Sequence, residues 1–488
     1  APTRPGPART GADGDGRPPH LVVIGGGSGA FAAAIRAAEL GARVTMVERG
    51  LMGGTCTNRG CVPSKTLIRA AEIHHLRHAH PFSGVPRADG RVEIGALVEQ
   101  KRELVERLRA SKYADVLAAY PRIEYVEGEA RFTARRSIAV VAAGGETREL
   151  RPDRVIVATG ARPWRPDLPG LDELPTERVW TNEEALEAEE IPERLVVAGG
   201  GPVGIELAQL FSRLGSRVTL VAPTLVPGAE SELTEALADY LRQEGVSVET
   251  GGARLRRVKA EEGGHVAVVG AGNRERSVPF DRLLLATGRT ANTEVLGLDA
   301  AGIETVGRGF IPVDDGLRTA APHVYAVGDC TDRPQFVYVA ARAGAIAAEN
   351  ALGSGDARLD LSAMPAVIFT DPQLAWVGLS EAEAGSRGEA VEARTLPLEH
   401  VPRALVNRDT RGLIRLVARK GDGRLLGVHV LSPHAGEVVQ TGVLGVRYGL
   451  SVDDLTDTLF PYLTEVEGLK LAAQSFSRDV ATLSCCAG

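Results

Sequence analysis

A short apolar run, a glycine turn and an apolar helical stretch occur in succession twice, and the two copies restrict the fold of this 488-residue chain more than any other feature. The first copy runs His20-Leu21-Val22-Val23-Ile24, then Gly25-Gly26-Gly27-Ser28-Gly29-Ala30, then a helical stretch from Phe31 to Leu40. An unbroken apolar run of that length reads as a strand buried on both faces, as in a parallel sheet. The turn fits Gly-x-Gly-x-x-Gly/Ala, with Gly25 for the tight turn, Gly27 for close approach of a pyrophosphate and Ala30 for helix packing. A second strand, Arg43 to Val47, ends in Glu48, at the spacing expected of the acid that binds a ribose hydroxyl.

The second copy runs Leu195-Val196-Val197-Ala198, Gly199-Gly200-Gly201-Pro202-Val203-Gly204, a helix through Leu214 and a strand from Arg217 to Val221. Here the offset that reached Glu48 lands on Ala222. A carboxylate would select NAD and repel a 2′-phosphate, so its loss favours NADP(H), with Arg217 or Arg213 left to reach the phosphate. Two such folds imply two dinucleotides, one held and one visiting. The similar segments Val155-Ile156-Val157-Ala158-Thr159-Gly160 and Leu283-Leu284-Leu285-Ala286-Thr287-Gly288-Arg289 bracket the second copy, which therefore reads as inserted into the first. Thr159 and Gly160 are expected at the first nucleotide, together with Gly25, Gly27, Ala30 and Glu48; Gly288 joins Gly199, Gly201 and Gly204 at the second. The strand Val324 to Val327 delivers Asp329 at its carboxyl end, where open α/β sheets bind ligands. Asp329 is expected to hold a ribityl hydroxyl, to cap a helix, or both, and Cys330 reads as buried filler.

Four of the five cysteines form two pairs of opposite character. Cys56 and Cys61 lie in Gly53-Gly54-Thr55-Cys56-Thr57-Asn58-Arg59-Gly60-Cys61-Val62-Pro63-Ser64-Lys65, where a turn-rich segment enters a helix with Pro63 in its first turn. The helix start and Lys65 make an electropositive setting that lowers a thiol pKa and supplies a thiolate for redox exchange. Cys485 and Cys486 are adjacent. Neighbouring Cα atoms lie about 3.8 Å apart, under the roughly 4.4 Å lower limit of disulfides, so this pair is expected to stay a dithiol. A reducible disulfide within and a soft two-thiol claw at the end suggest a thiophilic substrate.

Gly-Gly-Thr-Cys-x4-Cys-Val-Pro-Ser-Lys, the paired dinucleotide folds, the repeated Ala-Thr-Gly and the Val-Gly-Asp segment together resemble the flavin disulfide oxidoreductases, which include glutathione reductase and lipoamide dehydrogenase. The resemblance covers everything after Pro19. It implies an α/β chain of two Rossmann-like domains, the second inserted in the first, plus a C-terminal α+β dimerisation domain. FAD would be held by residues 20–162 and 280–352, NAD(P)H by 163–279, and a homodimer with shared active sites would form through 359–488. Those two relatives carry His-Pro-Thr-x-x-Glu near the C-terminus, with His as acid and base for a leaving thiol. The corresponding stretch here is Phe460-Pro461-Tyr462-Leu463-Thr464-Glu465-Val466-Glu467, with Tyr462 in place of His. A phenol with a reference pKa near 10 shuttles protons poorly at neutral pH, so an organic disulfide is not the expected substrate.

The ending Leu483-Ser484-Cys485-Cys486-Ala487-Gly488 is similar to that of mercuric reductases, which also carry Tyr at this point. That resemblance implies NADPH-dependent reduction of Hg(II) thiolate complexes to Hg(0). Soft Hg(II) prefers sulfur, and Cys485 and Cys486 of one subunit would pass it to Cys56 and Cys61 of the other. By the same resemblance Cys61 lies against the flavin, Cys56 exchanges ligands, Gly54 and Thr55 line the FAD, and Tyr462 places a hydroxyl near the metal. Glu467 orients this arm. Lys65 and Glu206 form an ion pair near the flavin or, on the plainer reading, are a surface lysine and a helix-face glutamate. Two rivals remain: a lipoamide dehydrogenase or other disulfide reductase, disfavoured by Tyr462, and a Hg(II)-sequestering protein, which would need neither nucleotide fingerprint.

Composition narrows the setting. A net charge of −7 without a basic run argues against nucleic acid, and no stretch of about 18 apolar residues is present to span a membrane. Five cysteines do not make a disulfide framework, which favours a reducing, cytoplasmic location. Ala1 to Pro19, rich in Pro, Gly and Arg, is expected to be a disordered tail and not a signal peptide. It contains no Cys-x-x-Cys, so the small metal-binding domain that begins many mercuric reductases is not expected. His74 and His78 at helical spacing, with His75 and His80, read as a solvated face, since no Cys or carboxylate completes a metal set. Val92 to Leu117 reads as a long exposed helix or hairpin whose Lys112-Tyr113 lines the access route.

Overall fold

The computed structural model describes residues 17–261, 264–353 and 355–479. Cys485 and Cys486 lie outside the described residues, as does Ala1–Gly16 of the tail. The chain divides into two compact units, one of residues 1–64, 99–164 and 288–360, the other of residues 65–98, 165–287 and 361–488.

In the first unit the apolar run is β1 (His20–Ile24), every residue of it buried. It pairs in parallel with β2 (Arg43–Glu48) on one side and with Arg154–Val157 on the other. The full sheet has the order Val324–Ala326, Arg154–Val157, β1, β2, Ile123–Ala134, Ser137–Ala142 and Thr147–Leu150, the last three joined antiparallel. Helix α1 (Ser28–Glu39) begins at Gly27 and buries its alanine face, Ala30, Ala33, Ala34 and Ala37. Small residues let the helix Val337–Leu352 come close: a Cβ on Gly344 would lie 2.2 Å from the Gly29 carbonyl oxygen. The expected helix from Phe31 to Leu40 is thus present with slightly earlier bounds.

The second unit holds the inserted fold and the C-terminal segment, each with its own sheet. Arg194–Ala198 is central in a parallel sheet ordered Ser247–Glu249, Arg217–Val221, Arg194–Ala198, Arg282–Leu285 and Val179–Trp180. Residues after 361 build an antiparallel sheet ordered Ala366–Ile368, Gln373–Gly378, Leu425–Ser432, Leu413–Arg419 and Val391–Pro397, backed by the helix Ala435–Tyr448. Alternating side chains of its strands, among them Ala375, Val377, Leu416, Val428 and Val430, form a core with Val438, Val439 and Leu469. Residues 65–98 were expected with the first fold; instead Leu67, Ala71, Ile94 and Val98 pack in one apolar cluster with Leu195, Val197 and Phe211. Their helical spacing presents an apolar stripe, and hydrophobic burial fixes where it docks.

The expected exposed helix from Val92 to Leu117 is a helix α4 (Ile94–Arg109), then a π turn Ala110–Ala114 and a last turn Asp115–Ala118. It is only half solvated: Val98 and Lys101 are buried.

A buried ion network ties the inserted fold to the C-terminal sheet. Arg213, its side chain 4% exposed, donates to Glu244 at 2.7 Å and Asp371 at 2.8 Å, while Arg411 bridges Glu244, Asp371 and Asp409. Burial pushes the Asp371 carboxyl up, but Arg213 and Arg411 outweigh it and hold it below the ordinary range. A depressed carboxylate adds stability that is complete above its unfolded pKa and is lost as pH falls through the folded one. Arg213→Ala is expected to destabilise by up to about 3–5 kcal/mol at neutral pH, because Glu244 and Asp371 are then left to share Arg411 alone among the cations of this network. Thermal unfolding from pH 7 to 3 should show the gap from the unmutated protein narrowing as the acids protonate; a gap constant with pH would contradict this.

Candidate active site

The first fingerprint and the cysteine segment, distant in function but near in sequence, are packed against each other. The segment folds as a short helix α2 (Gly54–Asn58), preceded by Gly53 with φ 103° and opening on Gly54 with φ 62°, backbone states that L side chains resist. Gly53 donates its N–H to the Gly26 carbonyl at 2.8 Å. A Cβ on Gly54 would stand 2.6 Å from the Gly27 Cα, a distance no side chain tolerates. Asn58 Nδ2 locks the turn by donating to the carbonyls of Met52 at 2.9 Å and Gly54 at 3.1 Å. Cys56, half-buried, therefore lies beside the turn that would cradle a pyrophosphate. Cys61, exposed, is the first residue of the 19-residue helix α3 (Cys61–Ala79), whose positive end favours a thiolate there. Pro63 sits in its first turn, as expected.

Tyr113 reaches the same turn from the π segment. Its hydroxyl is 3.0 Å from Thr57 Oγ1, and its ring stands edge-on to Phe31 at 4.6 Å. Sequence reading marked Tyr113 only as lining a route; nothing in the helical spacing shows that a π turn aims it at the residue after Cys56. Asn58 was missed altogether, and its Asx-type bonding inside a glycine-rich turn was the available signal.

The residues expected at a first nucleotide collect at the carboxyl ends of the parallel strands. Gly25 has φ 124°, and a Cβ there would strike the Ala158 carbonyl oxygen at 2.2 Å. Glu48 lies against Gly26 and accepts from the Gly50 N–H at 2.7 Å. Thr159 Oγ1 is buried, with the Cys330 thiol beside it. Burial pushes the Asp329 carboxyl up, and Arg289, 3.9 Å away, offsets this only in part. A half-buried acid and a buried hydroxyl, beside a glycine cradle, are groups that the sugar hydroxyls and pyrophosphate of a flavin nucleotide would suit. Asp329 sits in a 3-10 turn, Gly328–Cys330, and makes no cap bond that would account for it. Cys330 is fully buried, its thiol pushed up by desolvation.

The second fingerprint repeats this geometry within the second unit. A Cβ on Gly199 would lie 2.1 Å from the Ala286 carbonyl oxygen, and one on Gly204 would lie 2.0 Å from that of Gly199. At Gly201 a Cβ would meet no protein atom within 4 Å, so the open space there suits a visiting phosphate. Ala222 packs on Gly200 as Glu48 packs on Gly26, which makes the two positions equivalent in space. Arg217 requires correction: it opens its strand, at the end opposite Ala222, and pairs with Glu193. Arg213 is committed to the buried network. Gly288 falls in the first unit, where its carbonyl accepts from the Trp164 N–H, whereas Gly199, Gly201 and Gly204 belong to the second.

Lys65 and Glu206 do form an ion pair, Nζ to Oε2 at 2.6 Å, with Glu206 buried. The other carboxylate oxygen accepts from the Phe369 N–H at 2.9 Å, and Lys65 Nζ lies 4.8 Å over the Phe369 ring. Tyr462 is 59% exposed on its loop. Glu467 is buried, which pushes its carboxyl up, and accepts from the Leu463 N–H at 3.3 Å, holding Leu463 at φ 60°. His74 and His75 approach His78 at 5.5 and 5.6 Å between ring centres, and among the described residues no group of three or more His, Cys, Asp or Glu is placed to hold a metal ion. No helix among them is long and apolar enough to cross a membrane.

Residues 19–344 match the pyridine nucleotide-disulphide oxidoreductase family and residues 364–473 its dimerisation domain. The chain is 50% identical to a mercuric reductase of Acidithiobacillus ferrooxidans over 97% of its own length and 85% of that protein's. It is 49% identical to one of Shigella flexneri, covering 96% and 83%, and 46% identical to one of Streptomyces lividans, covering 96% and 98%. Among solved structures it is similar to the HOCl-induced flavoprotein disulfide reductase RclA of Escherichia coli, with TM-score 0.82 and 29% identity over 94% of this chain and all of that one. LpdA of Mycobacterium tuberculosis gives TM-score 0.83 at 27% identity, covering 94% and 100%.

Two outcomes test the geometry. Gly54→Ala, combining strained φ with the Gly27 contact, is expected to destabilise by at least ~1–2 kcal/mol and to lose bound flavin; unchanged thermal unfolding and full yellow absorbance would contradict it. Arg217→Ala should leave the KM for the pyridine nucleotide within about twofold, since a surface pair contributes little; a tenfold rise would show that Arg217 reaches the nucleotide.

Proposed function

The chain belongs to the pyridine nucleotide-disulphide oxidoreductase family and within it to the mercuric reductases, and from that premise we propose that it reduces thiolate-bound Hg(II) to Hg(0) with NADPH and FAD. The observation that carries this reading is the contact of the Gly53-Gly54 turn with Gly26-Gly27, which sets a redox-competent cysteine pair beside a flavin-type pyrophosphate cradle. In this reading Gly25, Gly27, Ala30, Glu48, Gly54, Thr55, Lys65, Thr159, Gly160 and Asp329 serve FAD, and Gly199, Gly201 and Gly204 serve the nicotinamide nucleotide. Preference for NADPH rests on Ala222 alone, because a neutral side chain leaves a 2′-phosphate unopposed.

When bound, flavin and nicotinamide supply the two electrons. The protein's task is to hold the ion and keep its ligands exchangeable. Hg(II) arriving on small thiols exchanges one sulfur at a time onto Cys485 and Cys486 of one subunit, then onto Cys56 and Cys61 of the other. Each exchange forms one Hg–S bond and breaks one, and the departing thiolate takes up the proton that the incoming thiol released. Two-coordinate Hg(II) accepts two electrons and departs as Hg(0), leaving both cysteines as thiolates. No leaving thiol needs protonation at the reducing step, so Tyr462 suffices where a disulfide reductase needs imidazole. The thiolate at the start of α3 is favoured by the helix dipole, which keeps Cys61 in its ligating form. A homodimer in a reducing, cytoplasmic setting completes the picture, the dimerisation domain being present in the chain.

NADPH oxidation driven by Hg(II) in excess thiol tests the assignment. Cys56→Ala is expected to lose turnover by at least ~10³-fold, as loss of a reacting group does, whereas Cys485→Ala/Cys486→Ala should fail chiefly with bulky mercury-thiol complexes. Turnover of Cys56→Ala at the unmutated rate, or absence of mercury vapour, would remove the proposal.

A further inference from the structure

The loop that carries Tyr462 is held at a point the family's motif does not include. Phe460 and Val466, at its two ends, pack on the apolar core of the C-terminal sheet, and Tyr462 projects outward between them. Glu465 turns the other way and is buried. Its Oε2 accepts from Ser432 Oγ at 2.8 Å and from the His434 N–H at 3.0 Å, and its Oε1 accepts from His434 Nδ1 at 2.7 Å. Ser432 ends a central strand and His434 precedes the helix Ala435–Tyr448. Both anchors are thus rigid. Three donors converging on a desolvated acid make a strong, directional tether.

We propose that Glu465 is a positioning residue for Tyr462, fixing the phenol through the Ser432–His434 tether while Glu467 sets the Leu463 backbone on the other side. This rests on the reading of Tyr462 as the hydroxyl that serves the metal. Two residues, Leu463 and Thr464, separate the tether from the phenol, with Thr464 Oγ1 closing the turn onto the Pro461 carbonyl at 2.7 Å. A shift of the acid therefore moves the hydroxyl. Without Glu465 the Ser432 hydroxyl and His434 N–H lose their acceptor, and the loop keeps the Glu467–Leu463 and Thr464–Pro461 bonds but loses its tie to the sheet and helix.

The test uses the full-length FAD enzyme and Hg(II)-dependent NADPH oxidation in excess cysteine. Glu465→Ala should lower kcat about tenfold, the order expected for a misplaced reacting group, with the KM for NADPH unchanged and the dimer intact by gel filtration. Glu465→Gln, which keeps an acceptor oxygen for Ser432 and the His434 N–H, should recover to within about threefold of the unmutated rate. In a Tyr462→Phe background Glu465→Ala should add less than about twofold, because coupled residues are not additive. Losses that multiply, or Glu465→Ala at full kcat while Tyr462→Phe is slow, overturn the positioning role alone. Tyr462→Phe at full rate overturns the reading of Tyr462 beneath it. Should Glu465→Ala fail to fold, His434→Ala carries the question from a side chain 59% exposed. A loss of about threefold that vanishes in the Tyr462→Phe background supports the tether; an equal loss in both backgrounds overturns it.

Discussion

Close approach of two glycine pairs governs this protein. Gly26-Gly27 belongs to the turn that ends β1, Gly53-Gly54 to the turn that precedes the first cysteine, and they touch backbone to backbone with a hydrogen bond of 2.8 Å. Any side chain at Gly54 would separate them by colliding with the Gly27 Cα. Because they touch, the cysteine segment and the first glycine turn share one wall, and on the proposed reading this sets the dithiol next to the flavin nucleotide's cradle. The strain at Gly53 and Gly54 is a conformational demand that only glycine meets at low cost.

The two dinucleotide folds show how one architecture is tuned by single positions. Each places its second glycine under a residue at the carboxyl end of the next parallel strand, Glu48 in one and Ala222 in the other. A carboxylate grips a ribose and refuses a phosphate; a methyl group does neither. In the proposed reading that difference separates a resident flavin nucleotide in the first fold from an exchanging nicotinamide nucleotide in the second. Burial adds to the contrast, since desolvation raises the Asp329 carboxyl of the first fold and Arg289 offsets this only in part.

Charge elsewhere is used for rigidity. Arg213, Glu244, Asp371 and Arg411 pin the inserted fold to the C-terminal sheet with bonds that water cannot easily replace. Glu465 and Glu467 apply the same device on a smaller scale, each carboxylate holding a stretch of loop backbone or its anchor. In both places the acids are acceptors for donors that would otherwise be stranded, so removing one partner is costlier than the bond itself suggests.

Contiguous residues were enough to specify the strands β1 and β2, the helix α1, both glycine fingerprints, the equivalence of Glu48 and Ala222, and the thiol pair at a helix start, because apolar periodicity and turn chemistry are local properties. Tertiary packing alone decided the rest. It assigned residues 65–98 to the second unit through the stripe of Leu67, Ala71, Ile94 and Val98, and it inserted a π turn that brings Tyr113 to Thr57. It also carried Arg217 to the far end of its strand, away from Ala222, and joined Glu465 to His434 and Ser432. Those outcomes depend on distances between residues far apart in the chain, which are set by how buried faces fit together and leave no periodic trace in the residues themselves.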